Sequence, residues 1–392
     1  MRRDEDFIEL DARSVAPQAS FELLVGAEAF WRRAAADIAA AHRRVWVQAM
    51  TFEGDAVGER VAAALLDAGA TDRRLLIDAY SFHVVNDRLL PWLPGRDAAL
   101  RAEATTTRDL LNRLVAGGVA VSVTNPVERR PLRFPLRNHK KLLVVDDVAY
   151  LGGVNFSEHN FAWHDAMVRI AEPPVAAFLA AAFEADWAGR PRCAAARIGG
   201  LELISLDGAS NSAALAPVLE RFRAARRSIE LIGAYPTMPF TAALADAARA
   251  GCAVTIYTPA RNNKPLLRDF LFAEAAAGGA NFRLALLPEM THAKAALIDG
   301  ETVMFGSVNF NLASWRTNGD FLATSRDPAL IAAFETDLFA PARAVARLAD
   351  PGRVAAWRRA RARFLLRLGD AALARLSHRG MTRAVRWEGA SG

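Results

Sequence analysis

Lysine is almost missing from this chain. Of 49 basic residues only Lys140, Lys141, Lys264 and Lys294 are lysine, and all the others are arginine. Lysine is a compact point charge and arginine a planar fork, so the two do not interchange at a tight phosphate site. Histidine is scarce as well, with seven in 392 residues. Two cysteines, Cys193 and Cys252, provide neither a disulfide framework nor zinc-ligand spacing, and they read as ordinary thiols of a reducing cytosol. No apolar run approaches the roughly 18 residues that a membrane-spanning helix needs. The opening Met1-Arg2-Arg3-Asp4-Glu5-Asp6 leads into no apolar segment of signal-peptide type.

A net positive charge is also missing from most of the chain, despite a formal net charge of +6. From Pro351 to Gly392 ten arginines face only Asp370 and Glu388, so this stretch carries +8 and the first 350 residues sum to −2. A near-neutral body argues against nucleic acid as a partner. The basic stretch interleaves Trp357, Phe364, Leu365, Leu366 and Leu368 with Arg358, Arg359, Arg361, Arg363 and Arg367. It reads as a separate amphipathic tail that binds an anionic membrane surface. The competing reading is a helix that packs its Leu/Trp stripe on the body.

Three of the four lysines fall in two matching segments. One is His139-Lys140-Lys141 running to Asp146, followed by Gly152-Gly153-Val154-Asn155; the other is His292-Ala293-Lys294 running to Asp299, followed by Gly306-Ser307-Val308-Asn309. Both are H-x-K-x4-D with a later glycine and asparagine. The duplication extends further. Arg43 to Gln48 and Arg226 to Leu231 each follow an alanine-rich helical pattern. Each is followed by a second helix and a strand, Arg74 to Asp78 or Ala253 to Tyr257, and then by a third helix ending in Gly117-Gly118 or Gly278-Gly279. Strands alternating with helices imply an α/β protein of two tandem repeats, each a mixed sheet flanked by helices. The expected divisions are an extension over 1–19, a first repeat over 20–190, a second over 200–348 and the tail over 350–392. Residues 82–107, with Leu89-Leu90-Pro91-Trp92-Leu93-Pro94, are an insertion in the first repeat, either a plain surface loop or a lid.

The paired motifs supply chemistry for a phosphodiester without a metal or other cofactor. Each H-x-K opens an apolar run that reads as a buried strand, placing His139 with Lys141, and His292 with Lys294, on one face. One histidine attacks phosphorus and the other handles the proton of the leaving and entering oxygens. Lys141 and Lys294, with Asn155 and Asn309 as substrate-binding amides, stabilise charge on the phosphoryl oxygens. Gly153 and Ser307 are placed with them at the substrate, since a small residue allows close approach. Asp146 and Asp299 complete the motif and are counted with the catalytic set. Their place at a strand end favours a structural part, and Asp299-Gly300 is a hairpin signal. Asp165, 26 residues after His139, and Asp320, 28 after His292, are the acids expected to orient the histidines. His42, His83, His159 and His378 read as structural, and His164 stays open beside Asp165.

These segments resemble the paired motifs of the phospholipase D superfamily, and within it the bacterial cardiolipin synthases. The likeness rests on Arg137-Asn138-His139-Lys140-Lys141, Gly152 to Asn155, Trp163-His164-Asp165 with Val168-Arg169-Ile170, and Leu23 to Phe30, and covers roughly residues 20 to 345. It implies two repeats related by a pseudo-two-fold with one shared active site, His139 as the nucleophile and His292 as the general acid/base. It also implies phospholipid substrates such as phosphatidylglycerol, and a peripheral place on the cytoplasmic side of the inner membrane. The chain departs from the family after Asn309. It has Phe310-Asn311-Leu312-Ala313-Ser314 where an Asp-x-Arg-Ser stretch is usual, and it lacks the N-terminal spans of many members. The same pocket would serve a phospholipase D giving the group to water. A nuclease and a non-catalytic lipid-binding scaffold are the more distant alternatives.

Overall fold

A computed structural model describes residues 20–89, 98–127, 133–376 and 383–389. They form two compact units, residues 20–192 with 383–389, and residues 193–376. The insertion's Leu90 to Pro94 lie outside the described residues, as do 128–132 in the approach to the first motif.

In the first unit eight strands form one sheet. Their order is Ser20–Val25, Ala166–Ala171, Val148–Gly152, Leu142–Val145, Arg44–Ala49, Asp72–Asp78, Ala120–Thr124 and Ala384–Arg386. Arg44–Ala49, Asp72–Asp78 and Ala120–Thr124 run parallel, as βαβ crossovers require, and the remaining pairs are antiparallel. The nine-stranded sheet of the second unit repeats this plan. Leu201–Ser205, Phe321–Ser325, Thr302–Gly306, Ala295–Ile298, Ser228–Ile232, Ala253–Pro259 and Phe282–Leu287 stand in the same order, again with three parallel neighbours. Leu142–Val145 and Ala295–Ile298 are central and buried along their whole length, which is why each reads as an unbroken apolar run.

Local chemistry sets the element ends. Asp55 caps the Ala56–Asp67 helix by accepting from the Val57 and Gly58 amides. Gly118 (φ 82°) and Gly279 (φ 74°) take the left-handed turn after the third helix of each repeat. Phe30, Phe52, Leu75 and Tyr150 anchor the first core, and Phe222, Leu231, Phe240 and Leu271 the second. The abundant arginines are used as flat stacking surfaces: the Arg74 guanidinium lies 4.5 Å from the Trp46 ring, which stacks on Phe183 at 5.1 Å.

The basic stretch is not one separate tail. Helix Ala356–Leu373 packs on helix Pro265–Ala277 of the second unit, and the following strand Ala384–Arg386 pairs with Ala120–Thr124 in the sheet of the first. Trp387 then stacks on Phe82 at 5.4 Å and donates to Asn112 Oδ1 at 2.8 Å. The helix also packs opposite to the competing reading of a Leu/Trp stripe turned to the body. Arg358 forks onto buried Asp269 at 2.9 and 3.0 Å, and Arg363 reaches Glu274 at 3.0 Å and the Ala273 carbonyl at 2.6 Å. These arginines face the protein, while Trp357, Phe364 and Leu368 stay exposed. Acids on the partner helix attract the guanidinium groups inward, which the arginine pattern alone does not reveal.

Candidate active site

Each H-x-K triplet lies in the extended segment just ahead of its strand, not inside it, since the ladders begin at Leu142 and Ala295. His139 and His292 are buried at 6% and 5% exposure, and Lys141 and Lys294 are buried with them. The two motifs share one internal contact. Lys141 Nζ donates to the His139 carbonyl at 2.7 Å, and Lys294 Nζ donates to the His292 carbonyl. Each ammonium is thereby held against the backbone of the histidine two residues before it, a fixed charge rather than a mobile one.

The residues flanking the first histidine are held by two buried acids that sequence reading missed. Asp78, fully buried at the end of its strand, accepts from the Asn138 amide at 2.7 Å, Asn125 Nδ2 at 2.8 Å and Arg137 Nη1 at 2.7 Å. Asp186, on helix Pro173–Trp187, accepts from Lys140 Nζ at 3.1 Å, Gln48 Nε2 at 2.6 Å and Asn138 Nδ2 at 3.0 Å. Asn138 touches both networks, so both neighbours of His139 are fixed by charge-assisted bonds. Lys140 is therefore consumed by a structural pair. In the second motif the histidine's neighbours are Thr291 and Ala293, with no charge to clamp. There His292 meets Tyr235 edge-on at 5.9 Å, and the Tyr235 hydroxyl donates to Asn263 Oδ1 at 2.7 Å.

The small residues after each motif lie against the acids expected to orient the histidines. Gly152 and Gly306 are the true counterparts. A Cβ at either would sit 2.2 Å from the Ala166 oxygen or 2.4 Å from the Phe321 oxygen, so only glycine lets the neighbouring strand approach. At Gly153 a Cβ would lie 2.2 Å from Asp165 Oδ1, whereas Ser307 at the same place donates to Asp320 Oδ1 at 2.7 Å. Asp320 Oδ2 takes a second hydroxyl, that of Ser314, at 2.8 Å. Asp165 and Asp320 are both buried. Asn155 Oδ1 accepts from the Thr51 backbone N–H at 3.3 Å and its Nδ2 donates to Asn160 Oδ1 at 3.3 Å, while the backbone N–H of Asn309 donates to Ser314 Oγ at 3.2 Å. The departure after Asn309 is structural: Phe310 packs between Phe222 and Phe240, and Asn311 caps the short helix that carries Ser314.

Asp146 and Asp299 do not join the histidines. Each lies at the far end of its strand, roughly 20 Å along the chain from the histidine at about 3.3 Å per residue. There the Asp146 carboxylate accepts from the His42, Arg43 and Arg44 amides at 2.9–3.0 Å. Asp299 does the same for Arg226, Arg227 and Ser228 at 2.7–3.2 Å. Burial opposes ionisation of both, but the backbone donors outweigh it and hold each pKa below the ordinary carboxylate value. Their stabilising effect is therefore complete above the ordinary value near 4 and is lost as pH falls through the lowered one. Asp299→Ala is expected to cost about 1–3 kcal/mol at neutral pH, a penalty that shrinks in acid, with kcat close to the parent's. Denaturant titrations at pH 7 and pH 3, beside initial rates, check this; collapse of kcat in a folded variant would return Asp299 to the chemistry.

Among the described residues one acidic group, Glu53, Asp55 and Glu103, brings three carboxylates within 4.8 Å of one another. Burial, then the charges of Glu53 and Asp55, push Glu103 up to about 7, so that a proton is held there near neutrality. His159 lies 3.4 Å from Glu53. Burial works against its cation, yet the neighbouring carboxylates raise its pKa, consistent with a structural histidine.

Comparison with known proteins follows the same two segments. The profile described as "Cardiolipin synthase, PLD-like domain" matches residues 35–187 and 218–339, more than half of the chain and one block in each repeat. Cardiolipin synthase A of Pseudomonas entomophila (strain L48) is 27% identical over 341 residues, covering 79% of this chain and 65% of that protein. Cardiolipin synthase A of Pseudomonas fluorescens is 26% identical over 360 residues, covering 83% of this chain and 69% of its own length. The chain thus spans about two thirds of these relatives. In fold it is similar to the phosphatidylserine synthase of Haemophilus influenzae Rd KW20, with a TM-score of 0.64 at 14% identity over 91% of this chain and 94% of that one. The polyphosphate kinase of Porphyromonas gingivalis has a TM-score of 0.58 over 85% of this chain and 49% of its own. A duplicated sheet plan, a histidine–lysine motif at the same place in each copy and a profile that matches both copies place the chain in the cardiolipin synthase family of phospholipase D-like proteins.

Proposed function

We propose that the protein is a phosphatidyltransferase of cardiolipin-synthase type. It moves a phosphatidyl group from one phospholipid to the hydroxyl of an alcohol acceptor such as phosphatidylglycerol, working as a peripheral protein at the cytoplasmic face of an anionic membrane. The observation that carries this reading is the presence of both H-x-K motifs, intact and equivalently seated in two like sheets, within a family match that spans both. Among the described residues no helix is long and apolar enough to cross a membrane.

In the proposed reaction His139 and His292 act in turn on the same phosphorus. A ring nitrogen of His139 attacks it, and a P–N bond forms as the P–O bond to the leaving alcohol breaks. Cationic His292 gives its proton to the departing oxygen. Neutral His292 then takes the proton of the acceptor hydroxyl, whose oxygen attacks phosphorus and releases His139. Lys141 and Lys294, each held on its histidine's carbonyl, supply fixed positive charge for the phosphoryl oxygens. Asp165 and Asp320 are proposed to fix the tautomers of the histidines.

The test is incubation of the purified chain with phosphatidylglycerol vesicles, without added metal, and mass spectrometry of the lipid products. Cardiolipin plus glycerol is the expected outcome. Phosphatidic acid alone would make the protein a hydrolase, and unchanged lipid would overturn the reading.

A further inference from the structure

We propose that the outward face of helix Ala356–Leu373, together with the segment 345–353 leading into it, is the surface by which the protein docks on an anionic lipid leaflet; this rests on the reading of the protein as an enzyme of membrane phospholipids. Sequence patterning assigns membrane contact to the basic tail as a whole. The structure divides them, and the apolar side chains take the leading part.

Among the described residues eight large hydrophobic side chains are left exposed, and six of them lie between Val345 and Leu368. Trp357 (63%), Phe364 (65%) and Leu368 (57%) follow one another at spacings of seven and four, one stripe of a helix, with Leu365 beside it. Each would be more stable out of water, and a contiguous exposed apolar strip of this kind marks an interaction surface. The helix cannot roll to hide the strip. Arg358 and Arg363 tie its other face to Asp269 and Glu274, Ala362 is fully buried, and Asp370 is paired with Arg316 at 2.7 Å.

Charge selects the occupant. Arg361 and Arg367 are exposed along the same helix and Arg375 just past its end, with Arg361 lying over the Trp357 ring at 5.3 Å. The acid of the helix, Asp370, is already engaged. A second copy of the chain meeting this strip about a two-fold would bring the same arginines against themselves. An anionic leaflet instead offers phosphates to the arginines and hydrocarbon to Trp357, Phe364 and Leu368, the composition of a helix lying in a membrane interface. The adjoining segment has the same character. Exposed Leu348 helps to line a cavity of about 600 Å³ with Phe272, Leu286 and Pro288, and Arg347 and Arg353 contribute to its wall. That combination suits the upper part of an acyl chain below a phosphate.

The full chain is mixed with vesicles of phosphatidylcholine, with or without phosphatidylglycerol, and bound protein is separated by flotation. The parent is expected to float with anionic vesicles. The double variant Phe364→Ser/Leu368→Ser is expected to bind at least ten-fold more weakly with an unchanged thermal melt, and Arg361→Glu/Arg367→Glu to lose the preference for anionic over neutral vesicles. Binding of the serine variant within two-fold of the parent would overturn the proposal. So would a parent dimer that the serine variant dissolves while vesicle binding persists, since the strip would then belong to a second copy. Flotation is read without turnover. A chain that floats but converts no phospholipid therefore sinks the transferase reading and leaves the docking face standing.

Discussion

His139→Ala is expected to lower phosphatidyl transfer by at least about 10⁴-fold, the scale on which removal of a covalent nucleophile is felt. It is also expected to abolish the covalent phosphatidyl-enzyme. Intact-protein mass spectrometry after an alkaline quench, in which a phosphohistidine survives, reads the adduct directly. His292→Ala should slow both half-reactions, because the same group serves the leaving and entering oxygens, while leaving the site of attachment in place. The two variants together decide the roles. An adduct that persists in His139→Ala and vanishes in His292→Ala would reverse them. The asymmetry of the two motifs favours His139 as the attacking group: a nucleophile must be held in line with phosphorus, and its two neighbours are anchored by Asp78 and Asp186.

Asp186→Ala is expected to destabilise the protein by about 3–5 kcal/mol, as removal of one member of a buried ion pair does. Lys140 Nζ lies 3.0 Å from Asp186, and both side chains are 1% exposed, so a buried ammonium would lose this carboxylate away from water. Gln48 and Asn138 would lose an acceptor in the same step. Urea titration measures the loss. The double variant Asp186→Leu/Lys140→Met removes both charges and should recover much of the stability, because well-packed apolar groups replace such pairs at little cost. It should not recover turnover. Without the carboxylate Asn138 Nδ2 loses its acceptor and the side chain is held by Gln48 and the Lys140 amide alone, which loosens the segment that carries His139, so kcat falls while KM changes little. A double variant with the parent's kcat would make the pair purely structural.

The parts of the molecule legible in the sequence are those that the duplication writes twice. The motifs, the strands at Arg44 and Ser228, and the left-handed glycines after the third helices each have a partner elsewhere in the chain that supports the assignment. What was not legible is what one copy has alone. Asp78 closes the apolar run Leu75-Leu76-Ile77, and Asp186 lies on a helix of alanine and phenylalanine. Each is an acid where burial is expected, and that was the available signal. Their partners beside His139 are 59 or 60 residues on for Asp78 and 46 or 48 back for Asp186, and only the sheet order brings them together. The facing of helix Ala356–Leu373 was ambiguous for a related reason. Its arginines and its aromatic residues each form a stripe, and Asp269 and Glu274 on another helix decide which stripe turns inward. Asp146 and Asp299 were counted with the chemistry because the motif includes them, although a strand's length carries its last residue far from its first and their place at a strand end already favoured a structural part.

Strand Ala384–Arg386 has a consequence for how the polypeptide is made. The sheet that carries His139 takes its eighth strand from residues synthesised some 260 positions after its neighbour Ser122. Until the ribosome has delivered that segment, Ala120–Thr124 presents an open edge of unpaired amides and carbonyls, the kind that recruits strands from other chains. A nascent or prematurely terminated product is thus a hazard to its neighbours, and a transcript cut anywhere before Arg386 yields a polypeptide whose first half is never closed. The unit built first is completed last.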